Sequence, residues 1–142
     1  MSEKIIVRQK KNFEIGFWAV DPNDPESDEY QLVRGLHEVT PYGMMLISLA
    51  ACTAQVVLSY AQHHGVPLDE VEFHLAYERV YMEDCDDCEN INRYEEEINE
   101  RLKFIGDINA AEKQKLFRIA HQCPIDKMYQ RGIEINSELD QA

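Results

Sequence analysis

A long apolar segment between Thr40 and Gly65 constrains the fold of this chain more than any other feature. Its sequence is PYGMMLISLAACTAQVVLSYAQHHG, and it is apolar on nearly every side of a helix. Thr40 is suited to cap a helix that begins at Pro41, and Gly65 is suited to end it. A helix of about 23 residues would be about 35 Å long, close to the diameter of a small domain. The segment predicts one helix that runs through a core or across a subunit interface.

Strand patterns flank this helix on both sides. Apolar residues alternate over 5–7 and again over 13–19, and the polar stretch between them can turn, which predicts an opening β-hairpin. The acidic, proline-containing stretch 21–29 predicts an exposed loop, and residues 30–39 are consistent with another extended segment. Alternation over 71–82 predicts a strand after the helix.

The C-terminal part of the chain is less clearly patterned. Residues 93–106 fit one face of a helix as well as a strand, and their glutamates slightly favour a helix. Asn109 and Glu112 form a capping pair for a second helix, which continues to Cys123 and is ended by the following proline. Residues 132–136 are suited to a short last strand.

These elements predict a single α+β domain over residues 1–142. Its parts are N-terminal strands over 1–39, the central helix over 40–65 and, over 66–142, strands, the second helix and the short last strand.

Composition indicates a soluble globular protein and excludes several partners. The chain has 142 residues, enough for one sizeable core, and its 27 acidic residues against 14 basic ones give a formal net charge of -13. Nucleic acid and anionic membranes would be repelled by that charge. No signal peptide or membrane span is expected, because Gln55 and the polar end of the apolar segment interrupt it. We therefore expect a cytoplasmic protein, with no cofactor.

The four cysteines are the candidate functional residues, because a chain that builds its own core does not need a disulfide framework. Cys52 lies among small residues in the apolar helix, and Cys123 lies near the end of the second helix. Each alone is consistent with a buried structural residue, and His121 is close enough in sequence to tune Cys123. Cys85 and Cys88 form a CxxC between predicted strands. This motif is consistent with half of a zinc site, with a redox pair and with an incidental surface feature. The acidic residues around it disfavour the redox pair.

Several motifs resemble the OsmC and Ohr family, the osmotically inducible and organic hydroperoxide resistance proteins. They are Pro41-Tyr42 before MMLISLAACTA, then HHGVPLDEVEFHLAYERV, AHQCPIDK and QRGIEI, and they span residues 40–136. The resemblance implies an OsmC-like fold, with antiparallel sheets wrapped around the long central helices of an intertwined homodimer and active sites at the subunit interface. It also implies a strand over 93–106, which we adopt because sheet context can override a weak local preference.

The resemblance further implies a stress-related thiol peroxidase in which Cys52 attacks and Cys123 resolves. In such an enzyme the first thiolate displaces alcohol from an organic hydroperoxide, becomes a sulfenic acid and condenses with the second thiol, and an external dithiol reduces the disulfide. This requires Cα atoms within about 7 Å of each other, or a local motion. We expect Met44, Met45 and Leu49 to line a pocket for an alkyl chain.

The sequence departs from the family at the start of the helix. Peroxidase members carry a Glu directly after the proline, paired with an Arg that lowers the pKa of the attacking thiol, whereas this chain has Tyr42-Gly43. Arg8 and Arg34 precede the helix and are the candidates for that Arg. Without a neighbouring cation a buried thiol stays protonated. Two alternatives remain: a non-catalytic dimer of the same fold that binds a small apolar ligand, and a metal-binding protein that uses the CxxC.

Overall fold

The fold is an antiparallel sheet with a long helix packed across one face, seen in a computed structural model that describes residues 2–21, 23–81 and 94–141. The strand order is β3-β2-β1-β4-β5. The strands are β1 (Ser2–Lys10), β2 (Ile15–Val20), β3 (Tyr30–Leu32), β4 (Leu68–Tyr81) and β5 (Tyr94–Gly106). The helices are α1 (Pro41–His63), α2 (Ala110–Ala120) and α3 (Pro124–Arg131), with a 3-10 turn at Leu36–Glu38 before α1.

Helix α1 begins and ends close to where the sequence predicts. The Thr40 hydroxyl accepts a hydrogen bond from the backbone N–H of Gly43 at 3.2 Å, and Pro41 occupies the first helical position. By length and composition α1 is apolar enough to cross a membrane, and half of its apolar window is buried inside the fold.

The core lies between α1 and the two central strands. In β1, Ile5 and Val7 are fully buried and lie opposite Leu75 and Phe73 of β4. Because these positions alternate along each strand, one face of the sheet is apolar and covers α1. The same register continues to β5, where Phe73 faces Leu102. Residues 94–106 are therefore strand, as adopted, despite their glutamates.

Two expectations about the C-terminal part are wrong. Helix α2 ends at Ala120, and Pro124 starts α3 where it was expected to end the second helix. A proline suits the first position of a helix as well as the residue after one, because its missing N–H has no helical partner there. The predicted last strand over 132–136 does not form, since no described strand pairs with it, and Ile133 and Ile135 are 66% and 81% exposed.

The segment between the hairpin and α1 also differs in part from the prediction. The stretch 21–29 has no helix or strand among its described residues, as expected of a loop. Residues 30–39 were expected to be extended throughout, but only Tyr30–Leu32 is strand, and a 3-10 turn follows. The Glu38 carboxylate accepts from the backbone N–H of Arg34 at 2.6 Å and thereby closes that turn.

Candidate active site

The structure brings Cys52 and Cys123 together. Cys52 lies in the middle of α1 and is partly exposed, while Cys123 is the N-cap residue of α3 and is fully buried. The Cys123 side chain and the backbone N–H of Ile125 both lie close enough to the Cys52 thiol to shift its pKa. Both cysteines are free thiols. The turn between α2 and α3 makes this contact, because it places the start of α3 over the middle of α1.

Burial raises the pKa of the Cys52 thiol above its ordinary value of 9.0, and the Cys123 side chain raises it further. The Ile125 N–H lowers this pKa, but by less. Ile125 is the second residue of α3, so its N–H has no partner within the helix and is directed to a group outside it. Among the described residues, no arginine or lysine shifts the Cys52 pKa.

The two arginines predicted as candidates lie elsewhere. Arg8 pairs with Glu70 on β4, with 2.7 Å between its Nε and Oε1, and its guanidinium lies 6.0 Å from the Trp18 ring. Arg34 lies before the 3-10 turn, where its backbone N–H bonds Glu38. Neither arginine is among the groups that shift the Cys52 pKa.

A third arginine, Arg79, contacts the residue that follows Pro41. The Tyr42 hydroxyl accepts a hydrogen bond from Arg79 Nη2, and the guanidinium lies 5.3 Å from the Tyr42 ring centroid. Tyr42 also stacks on Tyr77, with ring centroids 4.6 Å apart. The Tyr77 hydroxyl donates to Glu96 at 2.7 Å and accepts from Arg79 Nε at 3.1 Å. A phenol thus contacts an arginine at the position where the family resemblance implies a carboxylate.

A cavity of about 490 Å³ lies between β4, β5 and the helices α1 and α3. Neither Cys52 nor Cys123 lines it, but Leu49, one helical turn before Cys52, does. Met45 and Leu49 line it, as predicted, together with Ile98 and Tyr129. Met44 does not line it and is 37% exposed. The Tyr129 hydroxyl donates to the Met45 carbonyl at 3.1 Å and so ties α3 to α1 beside the cavity.

Acidic groups line the remaining walls. Burial raises the pKa of the Glu100 carboxyl, and the charge of Asp126 raises it further, while His121 opposes both. His121 Nδ1 lies 3.8 Å from an Asp126 carboxylate oxygen. The predicted tuning residue therefore faces the cavity acids and is not among the groups that shift the Cys52 pKa.

A second buried carboxyl, Glu3, lies at the first turn of α1 and was not predicted. Glu3 is 3% exposed, and Thr40 lies close enough to its carboxyl to lower its pKa through the Thr40 side chain and backbone. Its Oε1 has no partner among the described residues. A Cβ added at Gly43 would lie 2.9 Å from that oxygen. Burial raises the Glu3 pKa.

The CxxC of Cys85 and Cys88 lies outside the described residues, and its metal role stays a prediction. Within the described ranges, no three His, Cys, Asp or Glu side chains are grouped so that they could hold a metal ion.

The fold is thus an antiparallel sheet packed on one long helix. The candidate site is a pair of thiols between that helix and the start of another helix. A family model described as OsmC-like protein matches residues 35–138, and the chain belongs to this family. The fold is similar to the crystal structure of an OsmC-like hydroperoxide resistance protein from Jannaschia sp. CCS1, with a TM-score of 0.60 and 15% sequence identity over 98% of this chain and 93% of that one. No curated protein gives a significant match. The predicted family and OsmC-like α+β fold are confirmed, and the intertwined dimer stays a prediction.

Proposed function

We propose that the protein is a thiol-dependent peroxidase that reduces organic hydroperoxides, with Cys52 as the attacking residue and Cys123 as the resolving residue. The observation that carries this proposal is that a partly exposed thiol and a fully buried one lie close enough for Cys123 to shift the pKa of Cys52. Peroxide can reach the first thiol, while the second is shielded and has the first as its neighbour. The similar hydroperoxide resistance protein from Jannaschia is consistent with the same chemistry.

The cycle has three steps. The Cys52 thiolate attacks the terminal oxygen of ROOH, the O–O bond breaks, and the alkoxide leaves and takes up a proton as ROH, so that Cys52 becomes a sulfenic acid. The Cys123 sulfur then attacks the sulfenic sulfur, an S–S bond forms, and water leaves. An external dithiol reduces this disulfide by thiol–disulfide exchange and returns both thiols.

The start of α3 supplies the anion stabilisation that this cycle needs. The Ile125 N–H lies close enough to the Cys52 sulfur to lower its pKa, since an N–H interacts more strongly with a thiolate than with a thiol. The apolar wall formed by Met45 and Leu49 offers a surface for the organic part of the hydroperoxide.

The proposal includes a cytoplasmic homodimer. One sheet covers one side of α1, and an apolar helix of this length has more nonpolar circumference than one small sheet buries. A second subunit would cover the rest with an interface of about 2,000 Å² or more. Light scattering should therefore give about twice the 16.6 kDa of one chain at micromolar concentration. A particle of 16.6 kDa would contradict the dimer.

A second candidate function is a non-catalytic dimer that holds a small apolar ligand. The raised pKa of Cys52 favours it, because a protonated thiol is a poor nucleophile. Tyr42 in place of a carboxylate favours it as well.

Consumption of cumene hydroperoxide in the presence of dithiothreitol separates the two functions. We expect wild type to turn over, Cys52→Ser to lose about 1,000-fold or more in rate, and Cys123→Ser to form a sulfenic acid that dimedone traps at Cys52. A Cys85→Ser/Cys88→Ser variant is the matched control, because it removes two thiols outside the proposed pair. Equal rates for wild type and Cys52→Ser would overturn the peroxidase proposal.

A further inference from the structure

The short helix α3 lies along α1 and contacts it at two places. Directly before α3, the fully buried Cys123 lies beside the Cys52 thiol of α1. Near the other end of α3, the Tyr129 hydroxyl contacts Ser48 and Met45 of α1. Residue numbers rise along α3 as they fall along α1, so the two helices run antiparallel. On α1 the contacts at Ser48 and Cys52 are one turn apart, or about 6 Å.

The hydroxyl group of Tyr129 bonds α3 to α1. Its oxygen lies 2.7 Å from the Ser48 hydroxyl oxygen and 3.1 Å from the Met45 carbonyl oxygen. The Ser48 hydroxyl lies 2.7 Å from the same carbonyl oxygen. Because each hydroxyl has one proton, one of them donates to the carbonyl and the other donates to its neighbouring hydroxyl. Tyr129 is bonded to α1 in both of these arrangements.

The rest of α3 is packed loosely on the fold. None of its residues, all of which are described, is buried. Ile125 and Tyr129 pack partly buried side chains against the core. Asp126 lies 3.8 Å from His121, but its negative charge also raises the pKa of Glu100, so these two carboxylates repel each other when both are ionised. The Tyr129 hydroxyl bonds therefore contribute much of what holds α3 on α1.

The position of α3 matters to the thiol pair because Cys123 is its N-cap residue. A disulfide forms only when the two Cα atoms lie within about 7 Å of each other. If α3 moved off α1, it would draw Cys123 away from Cys52 and expose a thiol that is now fully buried. A sulfenic acid present on Cys52 at that moment would have no second thiol within reach.

We propose that Tyr129 is a positioning residue for the resolving step: its hydroxyl holds α3 on α1 and thereby keeps Cys123 beside Cys52. This role rests on the proposed peroxidase function, because resolution is a step of that cycle. In that step the Cys123 sulfur attacks the sulfenic sulfur of Cys52, the S–S bond forms and water leaves. Tyr129 acts on this step through α3 and exchanges no atom with the reacting groups.

Alkylation of Cys123 measures whether the hydroxyl holds α3, and it needs no catalysis. In a Cys52→Ser background, iodoacetamide reaches Cys123 only when the buried thiol opens to solvent, and peptide mass spectrometry gives the rate. We expect Tyr129→Phe to raise this rate about fivefold, because a hydrogen bond between the helices is lost. An unchanged rate would overturn the proposal.

Urea separates local opening of α3 from unfolding of the whole chain. Local opening exposes little surface, so the alkylation rate of Cys123 should change less than about twofold between 0 and 1 M urea, with or without Tyr129→Phe. A rise of about tenfold over the same range would show that Cys123 is reached through global unfolding, and it would overturn the local role of Tyr129.

Two further variants assign the effect to the hydroxyl contact. Tyr60→Phe removes the hydroxyl of another half-buried tyrosine, whose ring stacks on His64, and should leave the alkylation rate of Cys123 unchanged. Ser48→Ala should raise that rate about twofold when Tyr129 is present and should have no effect in Tyr129→Phe, because Ser48 then has no hydroxyl to bond on α3. Equal effects of Ser48→Ala in both backgrounds would overturn the bond between the two hydroxyls.

Dimedone trapping tests the resolving step itself. When the reduced protein meets an equimolar amount of cumene hydroperoxide, the sulfenic acid of Cys52 divides between the Cys123 disulfide and the dimedone adduct. The added oxygen on Cys52 crowds the start of α3, so its position depends more on Tyr129 in this state. We expect Tyr129→Phe to raise the adduct-to-disulfide ratio about threefold, while the first-turnover rate of peroxide consumption changes less than about twofold.

The outcomes of trapping are distinguishable. A variant that is merely less stable would form less of both products and keep their ratio, so an unchanged ratio would overturn the positioning role. Absence of both products in wild type would overturn the proposed peroxidase function. The alkylation rates of Cys123 would then still decide whether Tyr129 holds α3 on α1.

Discussion

The first turn of α1 and its middle differ in how charge is arranged around them. At the first turn, the buried Glu3 carboxyl lies beside Thr40, and Arg79 bonds the Tyr42 hydroxyl. In the middle, the Cys52 thiol has another thiol and one N–H as neighbours. About ten residues separate the two places, or about 15 Å of helix. Arg79, which contacts the first turn of α1, therefore lies away from the Cys52 thiol. At that thiol, the start of α3 is the source of anion stabilisation.

Tyr42 differs from a carboxylate in its effect on the charge of Arg79, the arginine that it contacts. A carboxylate at this position would neutralise Arg79, but a phenol accepts its hydrogen bond and leaves its charge in place. Glu96 on β5 provides a carboxylate 3.9 Å from the Arg79 Nε. Glu96 also lines the cavity.

The largest expected effect is a steep rise of peroxidase rate with pH. Below its pKa, the thiolate fraction of Cys52 grows about tenfold per pH unit. Because that pKa is raised above 9.0, the rate should climb about a hundredfold between pH 7 and pH 9 and continue to rise beyond pH 9. Stopped-flow rates with saturating cumene hydroperoxide in constant-ionic-strength buffers measure this profile.

Alkylation supplies the control for this profile. Iodoacetamide reacts with thiolates, so its rate at Cys52, followed by peptide mass spectrometry, should show the same pH dependence. A plateau of both rates below pH 8 would show that the thiol is activated by a group that the described residues do not place beside it, and would remove the contrast between the two parts of α1.

A smaller effect is expected from Glu3→Gln at the first turn. The folded pKa of Glu3 lies above its ordinary value of 4.5, so folding binds protons, and stability falls as pH rises through the folded pKa. Glutamine keeps the shape without the charge. We expect it to raise the free energy of unfolding at pH 8 by about 2 kcal/mol, and to have no effect below pH 4. Urea unfolding at the two pH values measures the difference.

Overall charge requires a control, because any acid-to-amide change reduces repulsion in this acidic chain. Glu26→Gln makes the same change in charge on an exposed loop, and it should alter stability by less than about 0.5 kcal/mol at either pH. A gain from Glu3→Gln that is equal at pH 4 and pH 8 would show that folding does not raise the pKa of Glu3.

Much of the fold could be predicted because helix caps and strand alternation depend on residues that are close together in the sequence. The Thr40 cap, Pro41 and the apolar run locate α1, and period-two alternation locates β1, β2 and β4. Residues 132–136 alternate equally well yet form no strand, because alternation describes a face and supplies no partner. Pro124 is compatible with a helix end and a helix start, so local sequence could not separate α2 from α3.

Only the residues of the candidate site that belong to a family-like motif could be predicted from the sequence. The two cysteines were found because their motifs resemble a family, and their roles stay a proposal. Arg79 was missed because its contact with Tyr42 spans 37 residues and depends on how β4 lies against α1. Glu3 was missed for a similar reason: in the sequence it is one of many acids, and its burial is set by the pairing of β1 with β4. The sequence signal for the buried Glu3 was Gly43, because a glycine at that position leaves room for the Glu3 carboxyl.

The smallest expected effect tests whether Gly43 is required by Glu3. Alanine is favoured over glycine in helices by up to about 1 kcal/mol. Here, however, the added Cβ would lie 2.9 Å from the buried Glu3 Oε1 and 3.2 Å from the Val39 Cβ. We expect this crowding to outweigh the preference, so Gly43→Ala should lower the free energy of unfolding by about 1 kcal/mol at pH 7.

A double-mutant cycle separates the carboxyl from the other neighbours of Gly43. In a Glu3→Ala background, the closest atom is gone, so Gly43→Ala should cost about 1 kcal/mol less than in wild type. The Val39 contact is the same in both backgrounds and cancels in the cycle. A coupling near zero would mean that the Glu3 side chain moves freely out of the way. In that case Glu3 is not held at the first turn of α1, and the gain expected for Glu3→Gln at pH 8 should also be absent.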